Sequence, residues 1–163
     1  RFIDAIGDSY YWSHDKTFGI NADPDLALGI TRLVMEIGGE PNHLLLTNGT
    51  KKWKKEAEAL LAEFPQGNDC EVYFNKEMWH FRSLLFTKPV DYIIGHSFAQ
   101  YLMRDTRIPL IRIGFPLFDR QFLHRYPTIG YMGGLNLLNW IINTILDEID
   151  RETMDTTSFD VIR

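Results

Sequence analysis

Residues His43-Leu-Leu-Leu-Thr-Asn-Gly-Thr-Lys-Lys-Trp-Lys-Lys-Glu-Ala-Glu-Ala-Leu-Leu-Ala-Glu-Phe-Pro-Gln-Gly67, followed by Glu71-Val-Tyr-Phe74, read as strand, helix and strand. His43 to Thr47 is a short apolar run ending in turn residues. Lys51 to Phe64 has helical spacing and is closed by Pro65 and Gly67. A strand that returns to its sheet through a helix pairs in parallel, and the crossover is right-handed. Leu44-Leu45-Leu46 is apolar at every position, as a strand covered on both faces must be.

The same alternation extends outward. Lys16 to Asn21 reads as a strand. Asp23 then caps a helix whose first position is Pro24 and which ends at Gly38-Gly39. Downstream come a helix over Lys76 to Phe86, a strand over Asp91 to Ile94, a short helix from Ser97 to Met103 and a strand over Pro109 to Ile113. Arg1 to Trp12 forms an opening helix with Phe2, Ile3 and Ile6 on one side. Gly133 to Glu152 forms a long closing helix with Leu135, Leu138, Ile141, Ile142, Ile145, Leu146 and Ile149 on one face. The expectation is an α/β, Rossmann-like, three-layer parallel sheet with helices on both faces, plus a long C-terminal helix and tail. Residues 1–114 are the α/β unit. Residues 115–163 add an aromatic and basic loop, the helix and an interface tail packing on the same domain.

The chain has 163 residues, 17 Lys+Arg against 22 Asp+Glu, a net charge of −5 and one cysteine. The acidic balance argues against a nucleic-acid binder, whose phosphate contacts need a basic surface. No apolar run reaches the roughly 18 to 20 residues of a membrane-spanning helix, so no membrane partner is expected. One cysteine excludes a disulfide framework and a thiolate-held zinc or iron–sulfur site built by this chain alone. With Arg1 first and no signal-peptide pattern, the expectation is part of a larger soluble, cytoplasmic chain.

Ligands of such sheets bind at the carboxyl ends of the strands. Here those turns read Asn21-Ala-Asp-Pro24, Asn48-Gly-Thr-Lys51, Gly95-His-Ser97 and Gly114-Phe-Pro116, with neither a dinucleotide fingerprint nor a P-loop. Asp23 would repel a phosphate, which favours its role as a cap. Asp4 and Asp8, at i and i+4, share a helix face. They suit either a solvated acidic face or two hard oxygen ligands for calcium, magnesium or iron, with the remaining ligands from water or another chain. Lys51-Lys-Trp-Lys-Lys55 opposes the helix dipole at a helix start. It is either a docking patch for an acidic partner or a solvated end with Trp53 turned inward. Ser97, His96 and Asp119 lack a nucleophile elbow, and adjacent His and Ser do not suit a triad. Ser97 is expected as a helix cap, the Asp119-Arg120 and His124-Arg125 loop as packing or subunit contact, and Cys70 as structural.

Asn48-Gly-Thr-Lys-Lys-Trp-Lys-Lys, Trp79-His-Phe-Arg-Ser-Leu, Arg104-Asp-Thr, Pro109-Leu-Ile-Arg-Ile-Gly-Phe-Pro-Leu-Phe-Asp-Arg120, Leu123-His-Arg and Gly130-Tyr together resemble the C-terminal third of the dinitrogenase β chain of nitrogenase. The resemblance spans essentially the whole chain. It implies an α2β2 assembly that reduces dinitrogen to ammonia with electrons from an ATP-driven iron protein. The partners implied are the α subunit, a second β subunit, the iron protein and, in the vanadium type, a small extra subunit. The short connection from Arg104-Asp-Thr to Pro109 and the stretch Asp4 to Tyr10 lean toward the vanadium type. Gln121-Phe122 and Gly95-His-Ser-Phe98 depart from the usual family pattern. The P-cluster ligands are expected upstream of Arg1, and the iron–vanadium or iron–molybdenum cofactor on the α chain. The segment itself is then expected to carry no catalytic residue and no cofactor ligand, and to be inactive alone. The resemblance matches Asp4 and Asp8 to a mononuclear metal site at the β–β contact, and Lys51 to a lysine that docks the iron protein. The rival expectation is a free-standing Rossmann-like module for a nucleotide, sugar or small molecule. Such a module should be monodisperse alone, whereas an excised domain should associate through apolar surface around Phe115 to Tyr131.

Overall fold

Five parallel strands lie in the order β3-β2-β1-β4-β5. They are β1 (Thr17–Asn21), β2 (Glu40–Leu46), β3 (Glu71–Phe74), β4 (Tyr92–Gly95) and β5 (Leu110–Arg112). Helices α2 (Pro24–Glu36), α3 (Lys51–Leu61), α4 (Met78–Thr87) and α5 (Gln100–Thr106) connect them, between α1 (Phe2–Ser13) and α6 (Gly130–Asp155). A computed structural model describes residues 2–121 and 125–155, with side chains as far as 153. Phe122, Leu123, His124 and the tail beyond 155 lie outside the described residues.

The strands bury alternate side chains on opposite faces. Phe18, Ile20, Leu44, Leu46, Ile94 and Ile111 meet Ile30 and Val34 of α2, Trp53 and Ala57 of α3, and Leu138, Ile141 and Ile145 of α6. Leu45, Ile93 and Leu110 meet Phe81 and Leu85 of α4 and Leu102 of α5. The all-leucine run of β2 is thus divided between two cores, as its composition requires. Gly19 leaves room for α4, since a Cβ there would lie 3.0 Å from the Phe81 ring. Gly38, at φ +86°, ends α2 in the left-handed conformation expected of it.

Several boundaries differ from expectation for local reasons. β2 starts at Glu40 rather than His43 and includes Pro41. That is tolerated because β3 pairs with β2 only from His43 onward, and the β1–β2 register shifts beside Pro41. α4 starts at Met78 rather than Lys76, because Asn75 takes a left-handed φ of 54° and its side chain accepts from the Gly49 N–H at 2.9 Å. On α1, Ile3 is 82% exposed while Phe2 and Ile6 pack inward, so Ile3 does not share their face. Asp23 precedes α2 without a side-chain cap bond, whereas Thr50 caps α3 by accepting from the Trp53 N–H at 3.1 Å. Among the described residues no helix is long and apolar enough to cross a membrane.

His43 is fully buried in β2. Its Nε2 lies 2.8 Å from the Lys88 carbonyl oxygen, so Nε2 carries the proton and donates, while the buried Nδ1 has no partner among the described residues. Burial holds its pKa below the ordinary histidine value. The unfolded chain therefore takes up a proton that the folded chain refuses, and stability is lost as pH falls below about 6.5. His96, also depressed by burial, acts in the same direction. His43→Gln, which can keep a donor to Lys88, is expected to flatten the fall in unfolding midpoint between about pH 7 and pH 5, measured by chemical denaturation.

Candidate functional site

Strand order reverses at β1, so the crevice where such folds hold ligands lies at the carboxyl ends of β1 and β4. The start of α2, with Asp23 and Asp25, stands on one side and Gly95-His96-Ser97 on the other. His96 is half-buried and its Nδ1 accepts from the Phe98 N–H at 3.3 Å. Burial lowers its pKa and outweighs the opposing pull of Asp23. His96, not Ser97, is therefore the residue that caps the short turn Ser97–Ala99.

Ser97 instead holds the following loop. Its buried hydroxyl donates to Asp119 Oδ1 at 2.5 Å and accepts from the Phe118 N–H at 2.9 Å, while its own N–H donates to the Pro116 carbonyl at 3.0 Å. Asp119 Oδ2 accepts from Arg112 Nε at 2.7 Å, in a pair whose side chains are 8% and 11% exposed. Burial alone would raise the Asp119 pKa. The hydrogen bonds from Ser97 and Arg112 reverse that and hold it below the ordinary carboxylate value. Ser97 and Asp119 do meet, but the His96 ring nitrogen is engaged with Phe98 rather than bridging them. The arrangement is a clasp between the ends of β4 and β5 and the loop after them, with no activated nucleophile. Arg112 had not been singled out in the sequence; its signal was an arginine in an otherwise apolar strand.

The clasped loop forms one wall of a groove of about 1110 Å³, with α2 as the other wall and the start of α6 at its end. Leu26, Leu33, Phe115, Tyr126, Ile129 and Leu137 line it, and Asp23 and Asp25 stand at its rim.

The other singled-out residues lie elsewhere. Asp4 and Asp8 are exposed on α1, beside an exposed Gly7. Lys51 is exposed at the first position of α3. Two of its neighbours are paired along the helix, Lys52 with Glu56 and Lys54 with Glu58, each at 3.5 Å. Trp53 does turn inward, its indole N–H donating to the Pro24 carbonyl at 2.8 Å. Burial pushes the Cys70 thiol up to about 12, which leaves it protonated and weakly nucleophilic at neutral pH. Among the described residues no three His, Cys, Asp or Glu side chains converge to hold a metal.

A five-stranded parallel sheet whose order reverses at β1, with a Ser97–Asp119–Arg112 clasp beside the reversal point, defines a doubly wound, Rossmann-like α/β domain. The family described as nitrogenase component 1 type oxidoreductase matches residues 1–146. The molybdenum–iron protein β chain of Nostoc sp. is 57% identical over 100% of this chain and 33% of its own length. That of Bradyrhizobium diazoefficiens is 52% identical (100% and 32%), and that of Azotobacter vinelandii 43% (100% and 33%). A solved structure described as nitrogenase Cp1 at pH 6.5 superposes with a TM-score of 0.89 at 29% identity, over 99% of this chain and 35% of that one. The chain belongs to the nitrogenase component 1 type oxidoreductase family, and it spans about a third of the length of the relatives it matches. The lean toward the vanadium type is unsupported, since the relatives quoted are molybdenum–iron chains. Surface-loop length, on which the lean partly rested, varies cheaply and discriminates poorly.

Asp119→Ala leaves Arg112 buried without its partner. It is expected to cost about 3–5 kcal/mol, read as a lowered denaturant midpoint, whereas exposed Arg120→Ala should leave the midpoint nearly unchanged.

Proposed function

We propose that this chain is a segment of the β subunit of a molybdenum-type dinitrogenase, an assembly that reduces dinitrogen to ammonia with electrons from an ATP-driven iron protein. The supporting observation is the 43–57% identity to molybdenum–iron β chains along the whole of this chain. Its partners are the α subunit, a second β subunit and the iron protein, in the cytoplasm. The P-cluster and the iron–molybdenum cofactor supply the electron relay and the reducing site, and residues outside this chain hold them. The donor set here does not suit a cluster held by this chain alone, since it offers a single cysteine. What this segment does is position. Residues 1–114 form the Rossmann-like unit, and 115–121 and 125–155 pack on it.

Two surfaces carry the contacts. Asp4 and Asp8 present two carboxylates on one exposed helix face, which is half of a site for a hard cation shared at the β–β contact. Gly7 between them adds no bulk where a second chain must approach. Lys51 offers a positive charge to the iron protein from the start of a helix whose register is fixed by Thr50 and Trp53.

Asp8→Ala in the intact assembly is expected to remove one mononuclear metal ion per β chain without changing cluster iron. Metal analysis reads this, and an unchanged ion count overturns the assignment. Lys51→Glu is expected to slow iron-protein association, most strongly at low salt, because exposed charges act on encounter rate. Stopped-flow measurement of ATP-dependent electron transfer checks this, and an unaltered salt dependence counts against the docking role.

A further inference from the structure

We propose that the groove between α2 and the loop after β5 seats a segment from the remaining two-thirds of the same polypeptide, apolar along its buried face and carrying Lys or Arg toward Asp23 and Asp25. This rests on the reading of the chain as part of a longer β subunit. The groove opens onto the core: Ile30, Leu33 and Leu137 line it although they are 0%, 7% and 5% exposed. On its rim Phe115 and Ile129 are 81% and 85% exposed. An opening that reaches the core of a soluble unit marks a contact surface, and leaving it open until a separate subunit arrives invites aggregation. A segment of the same chain closes it during folding, and the relatives' lengths supply twice the polypeptide seen here.

The wall is built in advance. Ser97, Asp119 and Arg112 hold the loop that bears Phe115 and Leu117, so its shape is set before anything docks. Other occupants fit less well. The carboxylates of Asp23 and Asp25 repel the anions that such crevices usually take. Arg32, the basic residue lining it, is committed to Glu36 at 2.9 Å and Glu63 at 3.8 Å.

The test places a photoreactive benzoylphenylalanine at Phe115 or at Ile129 in the full-length β chain within its assembly. Irradiation should leave the chain at the mass of one chain on a denaturing gel. Mass spectrometry should then find links to β-chain peptides outside this segment that are apolar and contain Lys or Arg. A shift in mass to an α–β product, a shift to a doubled β product, or no link at either position each overturns the proposal. Co-purification with an α partner, which the link pattern does not affect, separately decides the β-chain reading.

Discussion

A strand that is apolar at every position cannot turn either side to water, and this constraint organises the molecule. Leu45 and Ile93 need one cover, and Leu44, Leu46, Ile20 and Ile94 need another. The chain meets both demands by laying α2, α3 and α6 on one face and α4 and α5 on the other. Strand order consequently reverses at β1. Gly19 and Phe81 show how tightly the arrangement is set, because the glycine leaves the aromatic ring just enough room. The exposed Asp4 and Asp8 of α1 and Lys51 of α3 are all presented from this double-faced core.

The crevice at the reversal point illustrates how a fold can keep a site's location while changing its use. The place where related topologies take a phosphate holds acidic side chains, an uncharged histidine and a clasp of serine, aspartate and arginine. None of these activates a nucleophile. A buried ion pair is a poor means of gaining stability when compared with apolar packing, but it fixes geometry well. Here it fixes a loop whose outward side chains are aromatic and exposed, the opposite of what an isolated soluble unit would display.

Much of the architecture was legible because periodicity and burial agree. The five strands and their connecting helices follow from apolar runs and glycine or proline stops, and an inward Trp53 was one of the two readings that its position among lysines allowed. What escaped was settled by tertiary contact. Pro41 sits in a strand because its neighbour begins later. Asn75 delays a helix because its side chain is drawn to Gly49. Ser97 gave up capping because Asp119, distant in sequence, competes for its hydroxyl. Arg112 is an unremarkable residue until the loop folds back on it. The family was legible in motifs; its metal type, inferred from the length of one surface connection and from the stretch Asp4 to Tyr10, was not.

The Trp53 indole reaches across to the Pro24 carbonyl at 2.8 Å. That single bond ties the first turn of the lysine-bearing helix to the first turn of the helix that walls the groove. The two surfaces therefore share a foundation: the positive charges project from a plinth anchored below them, and neither helix can swing at its origin without dragging the other along.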